Sequence, residues 1–464
     1  MRNRVSILFI PLLFLSCIKE VTVNGLIITK VNVVDVKTGA ILEDQDIYIF
    51  EDKISDILPH DPLTVFKSKT IDGSGKYAIP GLWDMHHHIF SWDWQKNLNT
   101  SMGITGLRNM HGGEMVSEVR KERKDGFFRG FEFLYSGPIT DGPGENWPGT
   151  VVVSTPDEGR KAVQEQFQKG YDFVKVYNFL DRATYLAISD ECKKLGVDFA
   201  GHIPSDVSAI EAMAAGQKSI EHMVPLELAH ENPDITKTFN SESSKSLTYG
   251  ELATAFLKGY DPNKFQRVLD ATKNSETWFC PTLICLEKMA YKNDSTLKVD
   301  PRLKYVPKEE LDYWFGEVTE FGTPEYLQTK EEHLMAEQEL HKLTKSALKP
   351  MLDNGTRFLA GTDVGNPHVF PGYGVHEELQ LFVEAGFTEL EALQTATLNP
   401  AIYAEREDQL GTLEKWKIAN ILLLDANPLD DITNTQKIHG LVRRGEYLDR
   451  TSLDSLKIDY SKEQ

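Results

Sequence analysis

The sequence predicts an α/β protein: a (β/α)8 TIM barrel with a small β-sandwich domain built from both ends of the chain. The first observation is size, because 464 residues, 41% hydrophobic and 26% charged, are enough for a globular chain with a large barrel. The second is that short apolar segments alternate with helical stretches between about residues 80 and 401. The third is that both ends of the chain carry short, strand-like alternating segments instead.

The first 16 residues have the layout of an export signal. Two arginines precede an apolar run, 5–15, and Ser16 and Cys17 follow it. The run is too short to cross a bilayer as a helix, and a charged segment followed by an apolar one is typical of secretory signals. A small residue followed by cysteine resembles the lipobox of bacterial lipoproteins. We expect a lipoprotein-type signal peptide at 1–16, lipidation of Cys17, and a protein tethered to the bacterial cell envelope, in the periplasm or at the outer membrane. A plain signal peptide or an uncleaved anchor is the alternative.

Charge excludes one class of partner. Lys and Arg number 50 against 70 Asp and Glu, which gives a net charge of −20. A chain this acidic is not attracted to phosphate backbones or anionic headgroups, so we expect no nucleic acid partner and membrane contact through the N-terminal lipid alone. Four cysteines have no spacing typical of a metal site of their own. The expected partner is a small-molecule substrate, and a homo-oligomer is left open.

The β-sandwich is predicted from the two ends of the chain. Segments such as LIITKVNVVDV and DIYIFEDKISDIL alternate apolar and polar residues near the N-terminus, and ANILLLDANPL repeats this texture near the C-terminus. We therefore assign residues 17–79 and 402–464 to the two parts of the sandwich, and residues 80–401 to the barrel between them.

The barrel is predicted from eight strand candidates. In chain order they are LWDMHHHI, ITGLRNM, FEFLYSG, DFVKVYN, VDFAGHI, KSIEHM, WFCPTLICL and RFLAGTD. Eight strands alternating with helices favour a closed parallel barrel, and no GxGxxG loop follows the first strand as it would in a dinucleotide-binding sheet. Two inserts, about 223–275 and 286–350, exceed normal loop length and are candidates for a lid.

Polar side chains occur at the carboxyl ends of these strands, or within them. The residues are His86, His88, Lys175, His202, His222 and Asp363. The carboxyl ends of barrel strands converge on one mouth, where active sites lie. We therefore expect these residues, although distant in sequence, to be neighbours.

Strand parity sharpens this expectation. Because successive side chains point to opposite faces, His86 and His88 share a face and His87 points away from them. The same rule turns Lys175 into the barrel, since the valines on either side of it suit the helix layer. A lone buried ammonium carries a large desolvation cost, so this lysine is expected to be neutral or chemically altered. Tyr177 faces the same way as Lys175 and is either a substrate contact or an ordinary core aromatic.

These motifs carry a resemblance to a known family. The segment IPGLWDMHHH resembles the PGLxDxHxH opening of the amidohydrolase superfamily, which is built on a (β/α)8 barrel with one or two metal ions. His202, the segment IEH and the segment AGTDVG are similar to the strand-five, strand-six and strand-eight signatures of that superfamily. Further along, HEELQLFVEAGFTELEALQTATLNPA and GTLEKWKIANILLLDANPL resemble closing segments of imidazolonepropionase-like and prolidase-like members.

The resemblance implies a binuclear metal centre. It makes His86, His88 and Asp363 the ligands of one divalent ion and His202 and His222 the ligands of a second. Lys175 would bridge the two ions as a carbamate, which turns a buried cation into an anion. Imidazole and carboxylate ligands suit Zn²⁺. A hydroxide shared by the metals would be the nucleophile, and Asp363 would be the catalytic residue that takes its proton and passes it on.

The function implied is metal-dependent hydrolysis of a C–N amide bond in a small substrate, such as a dipeptide or an N-acyl amino acid. The alternative within enzymology is hydrolysis of a cyclic amide, a lactone or a phosphate ester at the same centre. An alternative from another class is a lipid-anchored binding protein with an inactive barrel, which the complete ligand set disfavours. A mononuclear site, in which Lys175 reaches solvent or pairs with Asp363, is the alternative to the carbamate bridge.

Overall fold

A computed structural model describes residues 19–22, 24–113, 116–144, 147–222, 249–316 and 331–462. The predicted signal peptide, Cys17 and parts of both predicted inserts lie outside these residues. Within the described ranges, no helix combines the length and the apolar character needed to cross a membrane.

The first strands of the chain belong to a terminal β region. They are β1 (Lys19–Val21), β2 (Leu26–Val34), β3 (Ile41–Phe50), β4 (Lys53–Pro59), β5 (Thr64–Phe66), β6 (Lys69–Asp72) and β7 (Tyr77–Pro80). A bulge at Lys30, which adopts a φ of 55°, divides β2, so that its first half pairs with β6 and its second half with β7. The strand therefore bends at the bulge and changes its pairing partner there.

The barrel strands follow directly. They are β8 (Leu82–His87), β9 (Ile104–Asn109), β10 (Phe127–Phe128), β11 (Phe131–Tyr135), β12 (Thr140–Asp141), β13 (Val151–Val152), β14 (Phe173–Val176), β15 (Asp198–Gly201), β16 (Ser219–Glu221), β17 (Trp278–Cys280) and β18 (Arg357–Phe358). Parallel pairing runs from β8 through β9 to β11, and from β14 through β15, β16 and β17 to β18. A parallel bridge between Ser136 and Phe173 joins the two runs.

Backbone hydrogen bonds also join the first barrel strand to the last. The amide of Met85 donates to the carbonyl of Ala360 at 2.9 Å, and the amide of Asp363 donates to the carbonyl of His86 at 2.8 Å. The strands that the sequence predicts thus form a TIM-barrel-like ring among the described residues, and the predicted α/β fold class is confirmed.

The described helices are α1 (Trp92–Ser101), α2 (Val116–Glu122), α3 (Pro156–Lys169), α4 (Arg182–Leu195), α5 (Ala209–Ala215), α6 (Tyr249–Gly259), α7 (Pro262–Thr272), α8 (Leu283–Ala290), α9 (Lys308–Trp314), α10 (Glu331–Asp353), α11 (Tyr373–Glu384), α12 (Glu389–Thr395), α13 (Leu398–Tyr403) and α14 (Arg450–Ser455). Local sequence explains several boundaries. Thr155 and Asp181 cap the first turns of α3 and α4 with their side chains, and Gly170 and Gly196 end those helices in the left-handed conformation.

One predicted strand is shorter than expected and continues as a helix. The segment WFCPTLICL forms β17 only as far as Cys280, and α8 begins at Leu283. Pro281 has no amide to donate, and Thr282 adopts a left-handed φ of 48°, so extended pairing ends there. Cys285 therefore lies on a helix, and Cys280 and Cys285 are both free thiols.

The two ends of the chain meet in one sheet. Among the described residues its order is β21-β20-β19-β7-β2-β3-β4, where β19 (Ile421–Leu424), β20 (Ile438–Arg443) and β21 (Glu446–Asp449) come from the C-terminal region. Strand β7 pairs with β19 and runs directly into β8. The core of this region is shared, because Ile28 and Ile47 pack in the same buried cluster as Ile421 and Val442.

The barrel core has the two layers that parity predicts. Val174 and Val176 belong to the cluster that includes Val163 of α3 and Ile188 of α4, whereas Phe173 packs inside the barrel against Met110 and Ala200. Lys175 is 1% exposed and lies on the same face of β14 as Phe173, as expected.

Candidate metal centre

The histidines and the aspartate identified from the sequence lie together. His86 Nε2 is 3.3 Å and His88 Nε2 is 3.1 Å from Oδ1 of Asp363. The ring of His222 lies 4.5 Å from that of His86 and 4.6 Å from that of His202, centroid to centroid. The Lys175 ammonium interacts electrostatically with His86, His202 and Asp363. The six side chains, which come from the carboxyl ends of different strands or from within them, therefore lie close together.

Two of the donor atoms are buried without a hydrogen bond. In the described part of the chain, neither His86 Nε2 nor Lys175 Nζ has a hydrogen-bond partner, and His86 is fully buried. Buried polar atoms are ordinarily paired because leaving them unpaired is costly. Imidazole nitrogens beside a carboxylate are the donors that a divalent cation such as zinc prefers. His86, His88 and Asp363 also place their ligand atoms within 4.8 Å of one another, so the residues present fit a metal ion.

The Nδ1 atom of three of these histidines faces a hydrogen-bond acceptor. The pairs are His86 with Oε2 of Glu221 at 2.8 Å, His202 with Oδ1 of Asn178 at 2.7 Å and His222 with Oγ1 of Thr282 at 2.8 Å. An Nδ1–H that donates to such an acceptor leaves the lone pair on Nε2. For His86 and His202 the network therefore leaves Nε2 available to a cation, whereas the Thr282 hydroxyl can either accept from or donate to Nδ1 of His222.

A buried ion pair holds the partner of His86. Arg108 of β9 donates from its guanidinium to both carboxylate oxygens of Glu221, at 2.8 and 2.9 Å, and to the hydroxyl of Ser219 at 2.7 Å. Its Nε–H donates to the carbonyl of Met85. The pair is completely buried, so the charge of Glu221 is balanced without water and its carboxylate is held toward His86.

Asp84 connects the first and last barrel strands. Its Oδ1 accepts from the amides of His86 and Thr362, and its Oδ2 accepts from the Thr362 hydroxyl at 2.6 Å. Burial raises the pKa of Asp84 to about 7. This carboxyl group fixes the backbone on both sides of the site and lies under the cluster of ligand-type side chains.

The two oxygens of Asp363 have different surroundings. Oδ1 faces His86 and His88, whereas Oδ2 accepts from Asn366 Nδ2 at 2.8 Å and from Cys285 Sγ at 3.5 Å and lies 3.8 Å from Nδ1 of His222. Asp363 and His222 both adopt left-handed backbone conformations, with φ of 57° and 65°. Such conformations in residues other than glycine concentrate at functional sites.

Tyr177 lies at the edge of this cluster. Its ring centroid is 4.0 Å from that of His202, and its hydroxyl oxygen accepts a hydrogen bond from Nε1 of Trp147 at 3.0 Å. Because the oxygen accepts that bond, the phenolic proton is available for another partner. Trp147 belongs to the loop after the third barrel strand and is half exposed.

The protonation of the cluster follows from burial. Burial lowers the pKa of His222 to about 4 and holds the pKa values of His86 and His202 well below the ordinary range. Burial also lowers the pKa of Lys175 to about 8. His86, His202 and His222 are therefore neutral, with lone pairs to offer.

Sequence reasoning missed several residues around the site. They are Asp84, Arg108, Asn178, Glu221, Thr282 and Asn366. A signal exists for Arg108 and Glu221, which are charged residues inside otherwise apolar strands. Asn178 and Asn366 come from loops, and nothing in their local pattern distinguishes them.

Comparison with known proteins places the chain in a family. The profile of the amidohydrolase family matches residues 77–448. An imidazolonepropionase from Thermoanaerobacter pseudethanolicus is 33% identical over 87 residues, which is 18% of this chain and only 20% of that protein.

Two solved structures share the fold. A bottromycin amidohydrolase matches with a TM-score of 0.72 and 20% identity over 93% of this chain and 88% of its own. A Xaa-Pro dipeptidase with bound methionine matches with a TM-score of 0.65 and 19% identity over 91% and 99%. Because the family profile spans most of the sequence, including every one of the ligand-type residues, the chain belongs to the amidohydrolase family of hydrolases.

Proposed function

We propose that this protein is a metal-dependent hydrolase that cleaves the C–N amide bond of a small substrate, such as a dipeptide or an N-acyl amino acid. The observation that supports it best is the buried set of donors near the carboxylate of Asp363. Among the described residues, neither His86 Nε2 nor Lys175 Nζ has a hydrogen-bond partner. Membership of a family that generally uses divalent metal ions supports it further.

Two zinc ions would be held by separate groups of side chains. His86, His88 and Asp363 would hold the first, and His202 and His222 the second. When bound, such ions supply a water of lowered pKa and polarise the scissile carbonyl. The neutral amine of Lys175 would add to carbon dioxide with loss of one proton, and the resulting carbamate anion would lie between the two groups.

The chain's own residues would move the protons. The Asp363 carboxylate would accept a proton from the attacking water and deliver it to the leaving nitrogen, which needs it to depart as an amine. The Tyr177 hydroxyl, whose oxygen accepts from Trp147, would donate a hydrogen bond to the carbonyl oxygen of the substrate and keep its proton.

Metal content tests the binuclear centre. We expect two ions per chain, measured by mass spectrometry on protein expressed without residues 1–16, and one or fewer in Lys175→Ala. Lys193→Ala removes an exposed lysine of α4 and is the matched control. One ion per chain in the wild type, unchanged by Lys175→Ala, would contradict the carbamate bridge.

A substrate panel tests the bond that is cleaved. We expect chelator-sensitive hydrolysis of linear dipeptides or N-acyl amino acids, and Asp363→Asn should lower the rate by about 10² to 10⁴ at saturating metal. Activity confined to cyclic amides, lactones or phosphate esters would replace this proposal with the alternative substrate class.

We also propose that the mature protein begins at Cys17, carries lipid there and is held at the bacterial cell envelope. The support is the charged, apolar and Ser-Cys pattern of the first 17 residues. Labelled palmitate should be incorporated into the wild type and not into Cys17→Ser. Incorporation that is unchanged in the variant would contradict the assignment.

A further inference from the structure

Thr282 has an unusual backbone for its residue type. It directly precedes α8, where it is the N-cap residue, with φ 48° and ψ 47°, and it is fully buried. The left-handed region is crowded for a β-branched side chain, so surrounding structure must hold Thr282 there.

The side chain of Thr282 does not do what an N-cap threonine ordinarily does. Such a side chain accepts a hydrogen bond from an amide in the first turn of its helix. Thr282 makes no such bond, and its Oγ1 lies 2.8 Å from Nδ1 of His222 instead. The hydroxyl is thus committed to a histidine of the candidate metal centre.

Glu378 of α11 caps α8 in its place. One carboxylate oxygen accepts from the amide of Leu283 at 3.0 Å, and the other accepts from the amide of Ile284 at 2.7 Å. Glu378 is completely buried. Burial raises the pKa of Glu378 to about 8, against the effect of its two amide hydrogen bonds. The carboxyl oxygens satisfy amides of the first helical turn that have no partner within the helix.

We propose that Glu378 is a positioning residue for the metal centre: by capping α8 from outside, it frees the Thr282 hydroxyl to orient the ring of His222. The inference rests on the proposed role of His222 as a ligand. Without both carboxylate oxygens, an amide of the first turn lacks an acceptor. The Thr282 hydroxyl is the nearest replacement acceptor in sequence. If it accepts from an amide of α8, its hydrogen bond to Nδ1 of His222 is lost.

The test compares four single variants, and the double variant of Glu378→Gln with Thr282→Val, in the full chain without residues 1–16. Glu378→Gln keeps the size of the side chain but offers only one oxygen. Thr282→Val removes the hydroxyl, and Thr282→Ser keeps it. Glu384→Gln is the matched control, because Glu384 also lies on α11 and its carboxylate accepts a hydrogen bond from Lys345 of α10.

Two quantities are measured on each variant. Zinc affinity is determined by competition with a chelating indicator, and the tautomer of His222 is determined by nitrogen NMR on metal-free, histidine-labelled protein. Glu378→Gln and Thr282→Val should each weaken binding of the second ion by about 10- to 100-fold and shift the ratio of the two neutral tautomers of His222 in the same direction. The double variant of Glu378→Gln with Thr282→Val should lose no more zinc affinity than the weaker-binding single variant. Thr282→Ser and Glu384→Gln should leave both quantities close to those of the wild type.

A purely structural role gives a different result. If Glu378→Gln lowers the unfolding temperature but leaves zinc affinity and the His222 tautomer unchanged, the proposal is overturned. If Glu378→Gln does not yield folded protein, Glu378→Asp withdraws the carboxylate by one methylene and should change both quantities in the same direction. If the wild type binds no second ion, the proposed function fails, and the tautomer measurement alone decides the role of Glu378.

Discussion

The orientation of the histidines in the candidate centre depends on the residues to which they are hydrogen-bonded. His86 donates to Glu221, and Glu221 in turn is held by the buried guanidinium of Arg108. Removing one member of a buried ion pair leaves the other charge uncompensated, which costs more than the pair contributes when intact. Glu221 therefore affects both the orientation of a proposed ligand and the stability of the barrel.

We expect Glu221→Gln to destabilise the protein by about 3 kcal/mol, because Arg108 becomes an unpaired buried cation. Zinc affinity should fall as well, since His86 loses a charged acceptor. Urea unfolding and zinc competition measure the two effects. Arg108→Met combined with Glu221→Gln removes both charges and should recover part of the lost stability. No recovery in the double variant would show that the charge imbalance is not the cause.

At the level of whole elements, helix α11 contacts several parts of the fold at once. It holds Glu378 against α8, and two residues earlier it holds His376 in a fully buried position. His376 Nε2 donates to the carbonyl of Met102 at 2.9 Å, and Nδ1 lies 2.9 Å from the Thr435 hydroxyl in the 3-10 turn Ile432–Gln436. One helix thus connects the candidate centre, the first barrel helix and the terminal β region.

His376 gives stability a defined dependence on pH. Burial lowers its pKa from 6.5 to about 4, so the folded state holds the neutral ring. Between pH 6.5 and 4 the unfolded chain binds the extra proton and the folded chain does not, so stability falls as pH falls, by up to about 3 kcal/mol from this group. Urea titrations should show a smaller loss over this window in His376→Gln than in the wild type. Identical slopes in the two proteins would contradict the assignment.

The last barrel strand needs a glycine at one point. A Cβ on Gly361 would lie 2.6 Å from the backbone nitrogen of His86 and 2.5 Å from Sγ of Cys280. Gly361→Ala should therefore cost about 1–3 kcal/mol, because strand and site must separate to admit the methyl group. It should also weaken zinc binding by moving His86.

Gly113→Ala is the control for that substitution, since a Cβ there would meet only ordinary contact at 4.0 Å. Urea unfolding and zinc competition should leave Gly113→Ala near the wild type. Equal stability of the two variants would show that the last strand tolerates the methyl group.

At the scale of the whole molecule, the site exists only when the ring of strands is assembled. His86 and Asp363 are 277 positions apart in the chain and become neighbours because the segment after β18 pairs with β8. The same assembly brings both ends of the chain into one sheet through β7 and β19. Cations bound by ligands from several strands would therefore bind the folded state in preference to the unfolded one.

Chelation should for this reason lower the unfolding temperature. A ligand present at a hundred times its Kd stabilises the folded state by about 2.7 kcal/mol, and removing it forfeits that amount. Calorimetry with and without EDTA measures the shift, which should be much smaller in His88→Ala, a variant with one proposed ligand removed. An unfolding temperature that does not respond to EDTA would argue against tightly bound ions.

Much of this protein can be read from local pattern. The order of the strands, the face on which Lys175 points and the cluster of His86, His88, His202, His222 and Asp363 follow from periodicity and from the meeting of strand ends in a barrel. The hydrogen-bond partners of the histidines are decided only by the tertiary structure, because a hydrogen bond to Nδ1 depends on distances that local periodicity does not predict. Glu221, Asn178 and Thr282 become partners of the histidines through such distances. Helix α8 begins at Leu283, whose amide donates to Glu378, 95 residues further along the chain.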